Sequence, residues 1–166
     1  PVPARLYDSP LNGRYPRQRY ARGEPFPVDH TLGATMMVRR EVIATTGMFD
    51  ESYFMYCEEI DWSLRIHRAG WQIYAVPAAR VVHLGGQSTG QIRAQSLINL
   101  WRSRLRLFDR HYAPPRRSLA RWLVRTGMRW RLWQTERAYR TGALSAADRE
   151  ALITAYRTVL EAARPS

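Results

Sequence analysis

The pattern of apolar and polar positions divides the chain into an irregular stretch, an alternating stretch and a helical stretch. Residues 1–28 carry Pro1, Pro3, Pro10, Pro16, Pro25 and Pro27 with Gly13 and Gly23. That density of breakers predicts an irregular opening segment. From Asp29 the pattern becomes compact. The run G-A-T-M-M-V at 33–38 suits a buried strand. Residues 39–46 predict a short helix stopped by Gly47, and 58–69 a second helix stopped by Gly70. Between them, 48–56 is an aromatic, non-periodic loop. Two short strands, 71–76 and 80–84, are expected around Pro77, followed by a glycine-rich loop at 85–90. Helices are then predicted over 91–112, 116–140 after the Pro114-Pro115 break, and 146–162. The last begins with a capping box of Ser145 and Asp148. A boundary is placed near Pro114, giving segments 1–28, 29–113 and 114–166.

Composition changes this picture in one respect. Hydrophobic residues make up 45% of the 166 residues, enough for a core, and the charged fraction of 24% is not that of a disordered polymer. No stretch approaches the roughly 20 apolar residues of a membrane span. The single Cys57 cannot form an internal disulfide, which fits a reducing compartment. The net charge is +12 and every basic residue is Arg. Between Gln91 and Arg140 there are 13 Arg against two acids, Asp109 and Glu136, so nearly all the excess lies in the helical stretch. Such a block points to an anionic partner: membrane lipid, a polyanionic substrate or nucleic acid. An Arg composition without Lys is equally the mark of a GC-rich genome.

Within 116–140, Leu119, Trp122, Leu123, Thr126, Trp130 and Trp133 fall on one helical stripe, and Arg117, Arg121, Arg125 and Arg129 form an i+4 ladder beside it. Two destinations are open for the stripe. It packs on the preceding α/β part or on a partner subunit, or it lies on an anionic membrane with Trp at headgroup level.

Chemistry concentrates in 33–88. Glu58, Glu59 and Asp61 crowd the first turn of a predicted helix, where the macrodipole and unpaired N–H groups favour acids. They are therefore helix-start acids, or one of them is a general base. Repulsion among three carboxylates raises proton affinity while the dipole lowers it. At 100° per residue, Glu58, Asp61, Trp62 and Arg65 share one face, Ile60, Leu64 and His67 the opposite one, with Glu59 between. Arg65 is placed for an i, i+4 pair with Asp61. Trp62 and Trp71 suit core burial or stacking on a sugar. No D-x-D, G-x-G-x-x-G or phosphate loop occurs, and there are too few Cys and His for a zinc cluster.

Taken in order, G-A-T-M-M-V-R-R-E, G-M-F-D-E-S-Y-F-M-Y-C-E-E-I-D-W-S-L-R and A-G-W-Q-I-Y-A-V-P-A-A-R-V-V-H resemble the second half of family 2 glycosyltransferases with a GT-A fold, in their rhamnosyltransferase-like branch. The resemblance implies an α/β fold: the carboxyl-terminal half of a GT-A, Rossmann-like sheet, followed by a basic helical extension. It implies inverting transfer from a nucleotide-diphosphate sugar donor to a hydroxyl on a glycan or lipid-linked acceptor. Glu59 falls at the position of the family's base, where an Asp is usual. Asp29 and Arg65 match acceptor-side positions. His83 matches a residue that helps hold a divalent metal, Mg²⁺ or Mn²⁺, or the leaving diphosphate. Asp50 and Glu51 match an F-D-E signature expected to order the loop. The family binds the nucleotide and most of the metal in an amino-terminal half. The chain opens at Pro1 without an initiating Met, so a fragment of a longer protein is expected. The expected location is cytoplasmic, peripheral on the inner face of the plasma membrane. The competing reading is a basic helical module binding a polyanion such as nucleic acid.

Overall fold

The structure is a computed structural model that describes residues 15–83 and 93–164. The chain is mainly helical: α1 (Arg17–Ala21), β1 (Phe26–Pro27), α2 (Arg40–Thr46), α3 (Glu58–Arg68), β2 (Tyr74–Ala75), α4 (Arg93–His111), α5 (Pro114–Arg140) and α6 (Ala146–Ala162). The described residues fall into two compact units. One comprises 15–49 and 59–83, the other 50–58 and 93–164.

In the first unit, Phe26 pairs with Ala75 and Pro27 with Tyr74 in an antiparallel two-stranded sheet. Val28 N–H adds one bond to Ile73 O at 2.9 Å. Of the expected strands, only these two residues of 71–76 form one. The run 33–38 is not a strand: Met36 and Val38 reach the core, but Met37 is fully exposed. Nor is 80–83, where Val81 and Val82 stand in solvent; Leu84 and the loop at 85–90 lie outside the described residues. Apolar runs specify a strand only when a neighbour supplies the ladder, and among the described residues neither run has one. The core here is Val42, Trp62 and Ile66, with Met36, Val38, Ile43, Trp71 and Ile73 against it.

α1 and β1 form within 1–28, which the breakers predict to be irregular, because each is a single short turn or pair between prolines. The later helices follow their sequence signals closely. Gly47 (φ 70°) and Gly70 (φ 85°) end α2 and α3 at positive φ, and Trp71 N–H reaches back to Ile66 O at 3.2 Å. The expected break falls at 112–113, just ahead of Pro114 and Pro115. They occupy the first turn of α5, where the missing N–H is no loss. Ser145 caps α6 by accepting from Asp148 N–H at 3.1 Å.

The second unit holds a three-helix bundle. Leu105, Val124, Met128, Tyr156, Val159 and Ala163 form its core. α4, placed by the sequence with the α/β part, thus packs with α5 and α6. The buried side of α5 is Val124, Met128 and Thr135, not the expected Trp stripe. Arg121 ties the bundle by pairing with Asp109 and donating to the carbonyls of Ala162 and Arg164, both at 3.0 Å.

Candidate active site

α3 carries most of the residues singled out by sequence, and its buried side decides what each can do. Asp61 is 0% exposed. Its Oδ2 accepts from Arg65 Nε at 2.8 Å, the expected i, i+4 pair. Arg65 then donates Nη1 to Thr46 O and Nη2 to Met48 O, the latter at 2.7 Å. These carbonyls lie at the end of α2, where a helix has unsatisfied acceptors. Trp62, 4% exposed, donates Nε1–H to Thr46 Oγ1 at 2.9 Å and meets Phe49 edge-on at 5.0 Å. Asp61, Arg65 and Trp62 therefore join α3 to the end of α2. Trp62 lies inside the core, and the guanidinium of Arg65 is engaged with protein acceptors.

Glu58 and Glu59 remain at the start of the helix, both half-buried. Glu58 Oε2 is buried without a hydrogen-bond partner among the described residues. At 100° per residue Glu59 falls on the same side as Trp62, Ser63 and Ile66. This is the sector between the two faces expected from the sequence. Ser63 Oγ–H donates to Glu59 O at 2.7 Å. Gly33 lies directly against the Glu59 side chain: a Cβ there would stand 3.5 Å from Glu59 Cβ and 3.9 Å from Cδ. The sequence reads Gly33 as the start of an apolar run and of the first family motif. Nothing local in the sequence signals that it meets a residue 26 positions away.

The chain enters α3 through two consecutive left-handed residues that are not glycine, Tyr56 (φ 70°) and Cys57 (φ 67°). Each such residue costs about 1–3 kcal/mol and persists only where its surroundings hold it. In the second unit, Ser103 Oγ–H on α4 donates to Met55 O at 2.6 Å, and Arg106 lies 6.0 Å over the buried Tyr53 ring. Asp50 orders the other end of the loop, as its signature implied. It accepts from Ser52 N–H at 2.9 Å and pairs with Arg110. The Ser52 hydroxyl and N–H, then Arg110, hold its carboxyl well below the usual range.

Asp29 is anchored elsewhere. Its Oδ2 accepts from the Tyr15 hydroxyl at 2.7 Å, its N–H donates to that oxygen at 2.6 Å, and its carbonyl lies 3.0 Å from His67 Nε2. Burial, and then the hydrogen bond to Asp29, raise the Tyr15 hydroxyl above its ordinary pKa. Residues 29–33 thus run antiparallel to α3, from His67 back to Glu59. Eight helical residues rise about 12 Å, so Asp29 and Glu59 sit at opposite ends of α3. Tyr15 and His67 were not singled out by sequence.

His83 is exposed and outside any strand. Among the described residues no group of three His, Cys, Asp or Glu could hold a metal ion. The resemblance places most of the cation's ligands in the amino-terminal half, and no step is assigned to a metal here.

A separate cavity of about 960 Å³ opens in the second unit, lined by Phe54, Asn99, Arg102, Arg106 and Arg110 among others. Asn99 Oδ1 accepts from Gln95 at 2.9 Å, which leaves its NH₂ as a donor. The lining mixes Arg102, Arg106, Arg110 and Arg121 with the carboxylates of Asp50 and Asp109.

No protein-family model matches the chain, and no solved structure matches it. Curated proteins do. The chain is similar to bacterial rhamnosyltransferases. It is 37% identical over 118 residues to the N-acetylglucosaminyl-diphospho-decaprenol L-rhamnosyltransferase of Mycobacterium tuberculosis (strain H37Rv), a match covering 70% of this chain and 38% of that protein. It is 43% identical over 56 residues to rhamnosyltransferase WbbL of Escherichia coli K12, covering 34% of this chain and 21% of that one. It is 36% identical over 70 residues to the low-salt glycan biosynthesis hexosyltransferase Agl10 of Haloferax volcanii, covering 42% and 22%. Each match thus covers well under half the length of the relative.

Proposed function

We propose that this chain is the acceptor-side part of an inverting glycosyltransferase, with Glu59 as its general base. The observation that carries the assignment is the division of labour at the start of α3. Asp61 is buried and bound to Arg65, whereas Glu59 is half-buried, with Gly33 against its side chain. A carboxylate in such a place can take the proton from an acceptor hydroxyl as that oxygen attacks the anomeric carbon. The bond to the nucleotide diphosphate breaks on the opposite side of the sugar, which inverts the configuration. The similarity to rhamnosyltransferases supports the reaction class and favours a deoxyhexose donated from a nucleotide diphosphate. The relative from Mycobacterium tuberculosis, named for a diphospho-decaprenol acceptor, favours a lipid-linked glycan as the acceptor.

The test is Glu59→Gln in the full enzyme that unites this chain with a nucleotide-binding half. Gln keeps the shape and loses the proton affinity, so transfer falls about 10²–10⁴-fold. Donor affinity and the melting curve stay unchanged. Transfer within a few-fold of wild type removes Glu59 as the base and turns attention to Glu58.

A further inference from the structure

α5 has two apolar faces, and the bundle uses one. Val124, Met128 and Thr135 are buried, with Leu132 packed beside them. Leu119, Trp122, Leu123, Trp130 and Trp133 point the other way. The three Trp side chains are 57%, 56% and 49% exposed. At 100° per residue they occupy an arc of about 100°, roughly opposite the buried face, and from Leu119 to Trp133 the stripe runs about 21 Å. Folding of the second unit gives no reason for three Trp in solvent, and contiguous exposed apolar surface of this kind marks an interaction site.

The charge around the stripe says what the partner carries. α5 holds eight Arg and a single acid, Glu136, and that acid is paired with Arg149 at 2.6 Å. Arg129 and Arg140 fall on one border of the arc and Arg116 on the other. Arg137 stacks over Trp133, 5.5 Å from the ring centroid, within the stripe itself. No carboxylate lies on this face, so a second copy of this cationic chain would meet like charge. Nucleic acid is disfavoured on geometric grounds. Trp130 and Trp133 already stack on one another at 4.7 Å, which occupies faces that bases would need. Leu119 and Leu123 offer bases nothing. Among the described residues no helix is long and apolar enough to cross a membrane, so the helix can lie on a bilayer but not span it.

We propose that α5 docks this face on an anionic lipid surface. The indoles sit at headgroup level, the leucines reach the acyl boundary, and Arg116, Arg129, Arg137 and Arg140 lie over lipid phosphates. This rests on exposure and charge alone and does not depend on the transfer chemistry proposed above.

The experiment is flotation of the chain with phosphatidylcholine vesicles, with and without phosphatidylglycerol, across a salt series. Binding is expected to the anionic vesicles, with a blue shift of Trp emission and weakening as salt rises. Each near-surface cation contributes roughly fivefold. Arg129→Gln with Arg137→Gln is therefore expected to weaken binding about 25-fold. Trp122→Ser, Trp130→Ser and Trp133→Ser together abolish it. Because these side chains are exposed, helicity and melting stay as in wild type. Glu59→Gln leaves vesicle binding unchanged. Absent binding, or equal binding to neutral and anionic vesicles, overturns the proposal. So does a dimer in solution that the Trp variant dissolves, or retention of RNA or DNA, in place of vesicles, through the same residues.

Discussion

Replacing Arg65 by Met tests whether this side chain belongs to the fold or to a ligand. Asp61 is completely buried, and the Arg65 side chain is 19% exposed. Met fills much of the aliphatic volume but leaves the carboxylate without its cation and two carbonyls, those of Thr46 and Met48, without their donor. Breaking a buried pair by removing one partner costs about 3–5 kcal/mol. For a chain of this size each kcal/mol shifts Tm by about 2–4 °C, so a fall of about 6–20 °C is expected. Arg65→Lys keeps the charge but cannot reach three acceptors with a rigid fork, and falls between. The double variant Asp61→Leu, Arg65→Met removes the stranded charge and melts above Arg65→Met alone. The assay is thermal melting followed by near-ultraviolet circular dichroism, which senses Trp62 in the same network. A Tm for Arg65→Met within about 2 °C of wild type refutes the structural role and returns Arg65 to the substrate side.

Two further predictions concern the second unit. Met128→Ala empties a buried position and costs about 2–5 kcal/mol, whereas Trp130→Ala on the outer face of the same helix stays within about 0.5 kcal/mol; urea titration of bundle helicity separates them, and equal losses contradict the assignment of faces. The carboxyl of Asp50 is depressed in the fold, so its contribution is present above the ordinary carboxylate value near 3.9 and is lost as pH falls through the folded value. Asp50→Asn is therefore less stable than wild type at neutral pH, and the difference closes below about pH 4. A difference that is constant from pH 7 to strong acid contradicts the Ser52 and Arg110 assignment.

The helices were legible because their signals are local. Gly47, Gly70 and Ser145 mark ends within one turn, and the structure uses all three. Strands were not, because 33–38 and 80–83 carry the right residue types but no described partner for their ladder. Faces were legible only where a single apolar side exists. α5 has two, and the one with its three Trp is left outside, while α4 and α6 cover the Val124, Met128 and Thr135 side. At α3 the sequence showed the Asp61–Arg65 pair. It could not show that Arg65 continues to Thr46 O, nor that Gly33 covers Glu59, since these contacts span 19 and 26 positions of chain.

The left-handed pair at Tyr56 and Cys57 has a kinetic corollary. Cys57 is the single thiol of the chain and is 4% exposed, so a soluble alkylating agent reaches it only when this turn opens. The modification rate, divided by that of an unstructured thiol, is then the open fraction of the turn. Backbone held off its favoured angles gives up little on release, which sets this opening well below the free energy of global unfolding. Shortening Ser103 to Ala removes the hydroxyl that holds the Met55 carbonyl and should speed alkylation without moving the melting curve to the same degree. The chain thus carries its own clock at the residues that lead into the carboxylate cluster.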